Sequence, residues 1–419
     1  MSQVVPASAD TLETQPSPES PRRLLKLLGA MSMPVLAENL LHMLVGLNDT
    51  YLANHVVLLS PTMPPEQVAA ARTEMAAAAA AVGSVMYFMW LIGLIAGAVG
   101  TGSTAIIARA TGARHRGLAN SVCGQSIVLA FICGIAVGLF MFVFAKPLAD
   151  VTLLQGRAHD FSLLYLRMLS IAVPFMIVMM IANACLRGAG DTLTPAVVFI
   201  IVDIVNVILS FALTYGWGPL PKLGFEGIAL GTVIAYVTGG VIQIAVLLHG
   251  RGGIRLFLHR LRPHWYDMKR LLRIGIPSGM EGLLQWGANF GVVAVVNRMD
   301  ATNVSAAAHL NSIRIEAVSY LAGFGVATAA ATMVGQSLGM GDPRRATRAA
   351  WMAYLLGGTM MLVCGVAFIA LGSPLARILS GDPRVIELTR QCLFITGFVQ
   401  AFFALGIIFG GALRGAGDT

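Results

Sequence analysis

Ten apolar runs follow one another along the chain, at about 27–56, 77–107, 119–145, 161–186, 194–216, 226–249, 271–298, 305–334, 346–372 and 386–412. Each is long enough for a helix to cross the roughly 30 Å apolar layer of a bilayer, which takes about 20 residues. The polar segments between them alternate in charge. Basic residues gather at Arg109, Arg114 and Arg116, along the connector from Arg251 to Arg273, and at Arg344, Arg345 and Arg348. The loops between these are near neutral, with Glu66, Arg72 and Glu74 in one and Lys146, Asp150 and Arg157 in the next. Positive residues favour the cytoplasmic side, so the N-terminus and the connector are expected in the cytoplasm of a multi-pass inner-membrane protein. The first 22 residues have no apolar core and read as a disordered tail rather than a cleaved signal.

Composition narrows the class. Charged residues are 11% of the chain and hydrophobic ones 57%, against about 25% charged in a soluble protein. The expected fold is all-α and polytopic. The net charge of +8 is confined to alternate loops, which argues for a lipid bilayer as partner and against nucleic acid. Cys123, Cys133, Cys185, Cys364 and Cys392 lie in or beside apolar runs without a CxxC, so they read as small buried hydrophobes.

The chain also repeats itself. Leu186-Arg187-Gly188-Ala189-Gly190-Asp191-Thr192 recurs as Leu413 to Thr419, 227 residues later. Pro147-Leu148 and Pro374-Leu375 keep that offset, as do Gly112 and Gly339, whereas Pro34/Glu38 and Pro277/Glu281 are 243 apart. One insertion, the long loop Leu59 to Glu74 after the first run, reconciles the two offsets. Six spans precede the connector, so both halves start on the same side and the repeats are parallel. The expected division is an N-lobe of six helices at 23–250, a basic linker at 251–270 and a C-lobe at 271–419 with four of six helices. By this arithmetic the counterparts of 194–249 lie beyond Thr419, and the chain is expected to be C-terminally truncated.

In these residues the chain resembles the multidrug and toxic compound extrusion (MATE) family. The resemblance rests on Pro-x-x-x-Glu at Pro34/Glu38 and Pro277/Glu281, Asn48-Asp49-Thr50, Ala307-Ala308-His309 and Val334-Gly335-Gln336-Ser337-Leu338-Gly339. The doubled Leu-Arg-Gly-x-x-Asp phrase, Asn206 and Gly227 to Thr232 complete it, over about residues 23 to 419. It implies two six-helix lobes around a central cleft, with organic cations or drugs leaving as protons or sodium ions enter by alternating access. It implies no cofactor and no enzymatic step, and the chain is expected to act as a monomer.

Ionisable residues deep in apolar runs cost a few kcal/mol and read as functional. Asp49 lies about twenty residues into the first run and Asp203 near the middle of the fifth, with Asn206 one turn on; Thr232 adds a hydroxyl from the sixth. Together they form the expected N-lobe site. A carboxylate there exchanges a proton for a sodium ion or cationic substrate, so Asp49 and Asp203 are the sodium ligands if sodium is the coupling ion. The resemblance places a coupling aspartate at Asp49. Archaeal-type members carry a second at the position of Ser210, and here the carboxylate is Asp203 instead. In the C-lobe, Glu281, Arg314 and Glu316 fall near mid-depth and are expected to form a buried ion pair with a spare carboxylate. Glu38, with Tyr87 and Met89 where the second half has Arg314 and Glu316, is expected to lack a basic partner. Secondary candidates are His309, a lone histidine, Gln285, where some members have glutamate, and Asp418, implicated in coupling in some bacterial members. His42 is the other lone histidine, and a hydrogen-bonded interior role is the commoner one for both. Arg187 with Asp191, and Arg414 with Asp418, are placed to pair across their glycine turns, which read as helix caps. Met86, Met89, Trp90 and Trp286 are candidate walls of an apolar cleft.

Two other readings compete. Gly-Ala-Gly-Asp spells the GxGD signature of intramembrane aspartyl proteases, but that chemistry needs two aspartates facing each other at the membrane centre, and here the motif sits beside arginine at a helix end. A lipid-linked sugar flippase of the same superfamily needs several cationic groups for pyrophosphate, and the spans offer Arg314 and Arg167.

Overall fold

The computed structural model describes residues 20–57, 63–299 and 304–418. Within them the chain forms α1 (Pro21–Ala53), α2 (Pro65–Gly112), α3 (Arg116–Val143), α4 (Ala145–Val151), α5 (Arg157–Ala189) and α6 (Leu193–Tyr215). α7 (Phe225–His249), α8 (Trp265–Met299), α9 (Val304–Gly339), α10 (Pro343–Leu379) and α11 (Pro383–Ala416) follow. A 3₁₀ turn at Leu258–Leu261 sits in the connector. All but α4 are long, and each of the ten long helices covers one expected span to within three residues. Nine of them are also apolar enough to cross a membrane. α8 falls short because its middle carries Gly279, Gln285, Asn289 and other small or polar residues where the rest carry Leu, Ile and Val.

The helix ends follow local chemistry. Proline occupies the first turn of α1, α2, α10 and α11, where its missing N–H costs nothing. The Asp342 and Asp382 carboxylates accept from the Arg345 and Arg384 backbone N–H, both at 2.8 Å, and cap α10 and α11. The doubled phrase ends α5 and α11 in the same way. Gly190 (φ +100°) and Gly417 (φ +83°) are left-handed. Their N–H groups donate to the carbonyls of Arg187 and Arg414, and those of Asp191 and Asp418 to Leu186 and Leu413. This is the Schellman cap.

Two expectations need correction. The segment Leu59 to Glu74 is not simply a loop: from Pro65 it is the first turns of α2, whose 48 residues span about 70 Å at 1.5 Å per residue and so extend well past a bilayer. Residues 58–62 lie outside the described residues. The polar tail expected over 1–22 gives way to helix already at Pro21; residues 1–19 are also outside the described set.

The core is double. One hydrophobic cluster runs from Val45 to Leu271, with α5 at its centre packed on α2, α3 and α7, and α6 on α7 and α1. The other joins α9, α10 and α11, with Leu24 and Leu28 of α1 added. Between them α2 packs on α8 and α9, and α1 on α9. The connector is folded against the first cluster: the Gln125 amide donates to the Arg260 and Arg262 carbonyls at 2.9 and 2.8 Å and accepts from the His264 N–H at 2.8 Å.

The repeat is visible in the packing. A side chain on Gly188 would strike Thr104, and one on Gly415 would strike Ala331, contacts shifted by the same 227 residues. At the α2–α9 crossing a side chain on Gly112 would meet the Gln336 carbonyl, and one on Gly339 the Arg109 carbonyl. The crossing is thus self-complementary, as in an isologous contact, and it closes the two clusters together beside Arg114, Arg116, Arg344 and Arg345.

Candidate functional site

Asp49 sits on α1 at 2% exposure, inside the first cluster. Its Oδ2 accepts from the Tyr165 hydroxyl at 2.5 Å and the Thr232 hydroxyl at 2.7 Å, and its Oδ1 from the Asn206 amide at 3.5 Å. The Asn206 amide also reaches Thr232 at 2.9 Å and Ser210 at 3.4 Å, and Asn48 donates to its carbonyl oxygen at 2.8 Å. Four helices therefore converge on one carboxylate: α1, α5, α6 and α7. Helical spacing alone places Asn206 and Ser210 on one face of α6 and Tyr236 one turn from Thr232 on α7. Of the expected group Asp49, Asp203, Asn206 and Thr232, the helices bring Asp49, Asn206 and Thr232 together. Tyr165 was missed, because a buried tyrosine in an apolar run carries no local signal of its partner.

Asp203 is 7% exposed and does not join the hydrogen bonds around Asp49. Both its oxygens are buried and, among the described residues, have no hydrogen-bond partner; the Tyr236 hydroxyl is in the same condition.

A cavity of about 550 Å³ lies between the two clusters, lined by residues of α1, α2, α5, α6, α9 and α11. Its walls are apolar and aromatic, with Trp90, Met180, Phe199 and Phe324 among them, as in pockets that take organic molecules. Trp90 stacks on Trp286 at 5.4 Å. His42 lines the cavity and meets Phe199 edge-on at 5.6 Å. The charged lining residues are Glu38, Arg187 and Arg414.

Here the sequence expectations fail in an instructive way. Glu38 does have a basic partner: Arg187 donates to its Oε1 at 2.7 Å, with side-chain exposures of 19% and 7% for the arginine and the glutamate. Asn183 donates to the same oxygen at 3.1 Å and is itself held by Gln243 at 2.5 Å. Glu281 pairs not with Arg314 but with Arg414, at 3.1 Å, while Arg314 is exposed. The repeated phrase thus supplies the arginine in both halves and the Pro-x-x-x-Glu phrase the glutamate. Arg187 and Arg414, committed to glutamates, do not pair across their turns. Asp191 instead accepts from Thr194 and lies 3.7 Å from Arg251, and Asp418 is exposed past the α11 cap. Glu316 accepts from Gln400 of α11 at 3.1 Å. Gln285 is exposed and His309 half-buried near the start of α9; neither reaches the cavity lining. An expected depth does not say which neighbour a side chain faces.

The MatE family model matches residues 68–212 and 277–419, on both sides of the connector. The chain belongs to the MATE family. It is therefore a multi-pass membrane transporter of that family. Among curated MATE relatives, it is 28% identical over 409 residues to a probable multidrug resistance protein NorM of Thermotoga maritima, covering 96% of this chain and 81% of that protein. To an FAD transporter of Shewanella oneidensis it is 26% identical over 331 residues, 77% of this chain and 71% of that one. Its backbone follows the Vibrio cholerae MATE transporter VcmN in its bent form with a TM-score of 0.83 at 19% identity, over 95% of this chain and 85% of that one. On the MATE fold, α1 links the two features described above: Glu38 faces the cavity and Asp49, eleven residues on and about 16 Å along the axis, holds the centre of the hydrogen-bonded ring.

Proposed function

We propose that this MATE protein is a secondary active antiporter that exports organic cations or drugs in exchange for protons or sodium ions by alternating access. The observation that carries the reading is the Asp49 ring. A carboxylate at 2% exposure is gripped by donors from α5, α6 and α7, on the same helix whose Glu38 lines the cavity. Cation uptake at Asp49 changes what holds α1 in place, and α1 carries Pro34, whose missing N–H weakens the helix below the cavity. With the basic loops in the cytoplasm of the inner membrane, the α2–α9 crossing closes the cytoplasmic side, so the arrangement faces outward. On this reading Asp49 takes the coupling ion, sodium included if sodium drives the cycle, and the chain works as a monomer without a catalytic step. The test is efflux in everted membrane vesicles with proton and sodium gradients imposed separately. Efflux that neither gradient drives removes the antiport reading. A lipid-linked sugar flippase has less support: Arg187 and Arg414 line the cavity, yet each is already paired to a glutamate, and Arg314 and Arg167 are exposed.

A further inference from the structure

α6 and α7 run antiparallel, and their register is set at three levels. Gly231 packs on Ser210, Asn206 bonds to Thr232 at 2.9 Å, and Gly239 lies against Val202. Asp203 therefore falls opposite the turn of α7 that carries Tyr236. At the lower levels the polar groups are absorbed by the Asp49 ring. Asp203 and Tyr236, at 7% and 1% exposure, are not: neither carboxylate oxygen nor the phenol hydroxyl has a partner among the described residues. One turn before Asp203 on α6, Phe199 lines the cavity.

We propose that Asp203 and Tyr236 form a second cation station in the N-lobe, separate from Asp49 and specific for a proton. An ionised carboxylate with both oxygens unpaired in an apolar interior is costly. The acid form needs one acceptor for its O–H, and a tyrosine hydroxyl is one. Hard metal cations instead gather several oxygens. The Asp49 ring offers two carboxylate oxygens, the hydroxyls of Tyr165, Thr232 and Ser210 and the Asn206 carbonyl oxygen, whereas the Asp203 turn offers two carboxylate oxygens and one phenol. A proton from water reaching the Phe199 side of the cavity binds a carboxylate oxygen of Asp203 and leaves a neutral acid whose O–H donates to the Tyr236 oxygen. Release reverses that single bond, with no change of oxidation state.

The other ionisable groups on the packed helices are Arg22, Arg23, Lys26, Glu38, His42, Asp49 and Tyr51 of α1, Arg157, His159, Asp160, Tyr165, Arg167, Cys185 and Arg187 of α5, Tyr215 at the end of α6, and Glu226 and His249 at the two ends of α7. Asp203 is the only charged residue of α6. The inference rests on the N-lobe cation uptake proposed above, and adds that a turnover carries one proton at Asp203 besides the ion at Asp49.

Infrared difference spectroscopy on the purified protein in lipid, without any exported compound, tests it. As pH is lowered, Asp203→Asn should lose one carboxylic-acid carbonyl band and Asp49→Asn a different one. Tyr236→Phe, which keeps the shape of the ring, should shift the Asp203 band alone as its hydrogen bond is lost. If Asp203→Asn removes no band, or if Tyr236→Phe leaves every band in place, the second station does not exist. Because the readout needs no transport, an efflux assay that defeats the antiport reading is distinguishable from a spectrum that defeats this one.

Discussion

The carboxylate of Glu38 and the guanidinium of Arg187, 149 residues apart, meet at 2.7 Å at the edge of the central cavity, and the second half repeats the contact as Glu281 with Arg414 at 3.1 Å. The two most conspicuous phrases of the chain are therefore the two sides of one ion pair, made once per lobe. The copies differ in depth. Glu38 is nearly covered, with Asn183 on the same oxygen, whereas the Glu281 side chain is 59% exposed.

That difference sets the first expectation. Removing one partner of a buried pair leaves an uncompensated charge, at a cost of about 3–5 kcal/mol, while an exposed pair is worth about 0–1 kcal/mol. Arg187→Met should lower the thermal unfolding midpoint in detergent far more than Arg414→Met does. Equal losses would show that the depth of the first pair is unimportant.

Asp49→Asn keeps the shape of the side chain but cannot exchange a cation. It should abolish gradient-driven efflux from everted vesicles while the protein is still inserted at normal levels. Undiminished transport would remove Asp49 from the mechanism.

The α2–α9 crossing tolerates no side chain. Gly112→Val or Gly339→Val should prop that end open, since overpacking costs about 1–3 kcal/mol. The readout is thiol labelling of a cysteine placed at Thr104 on the cavity wall: access from the basic-loop side should rise in the valine variants. Labelling that stays at the wild-type level would mean the crossing is no barrier.

Gly190 sits at φ +100° in the cap of α5. Gly190→Ala should cost about 1–2 kcal/mol, the penalty of a left-handed backbone for an L-residue. The unfolding midpoint should fall, whereas Gly29→Ala, in a helical site with open space, should leave it unchanged or raise it.

Much of the architecture was legible in the amino-acid order. Apolar run length is a local property, matched to a bilayer by the fixed rise of a helix, so the ten long helices and their order could be counted directly, nine of them apolar enough to cross a membrane. The offset of 227 residues needed only identity between two stretches of chain, whereas helical spacing grouped Asn206 with Asp203, which does not join its hydrogen bonds. The loop expected from Leu59 to Glu74 misled for an equally local reason: alanines such as Ala69 to Ala71 extend a helix as readily in water as in lipid. What tertiary structure alone decided is which charge meets which. Counting along the runs puts Glu281 and Arg314 at one expected depth, but depth is one coordinate, and rotation about each helix axis selects the neighbour. Packing therefore turned Glu281 to Arg414, gave Glu38 the arginine it was expected to lack, brought Tyr165 to Asp49, and left Asp203 buried outside that ring.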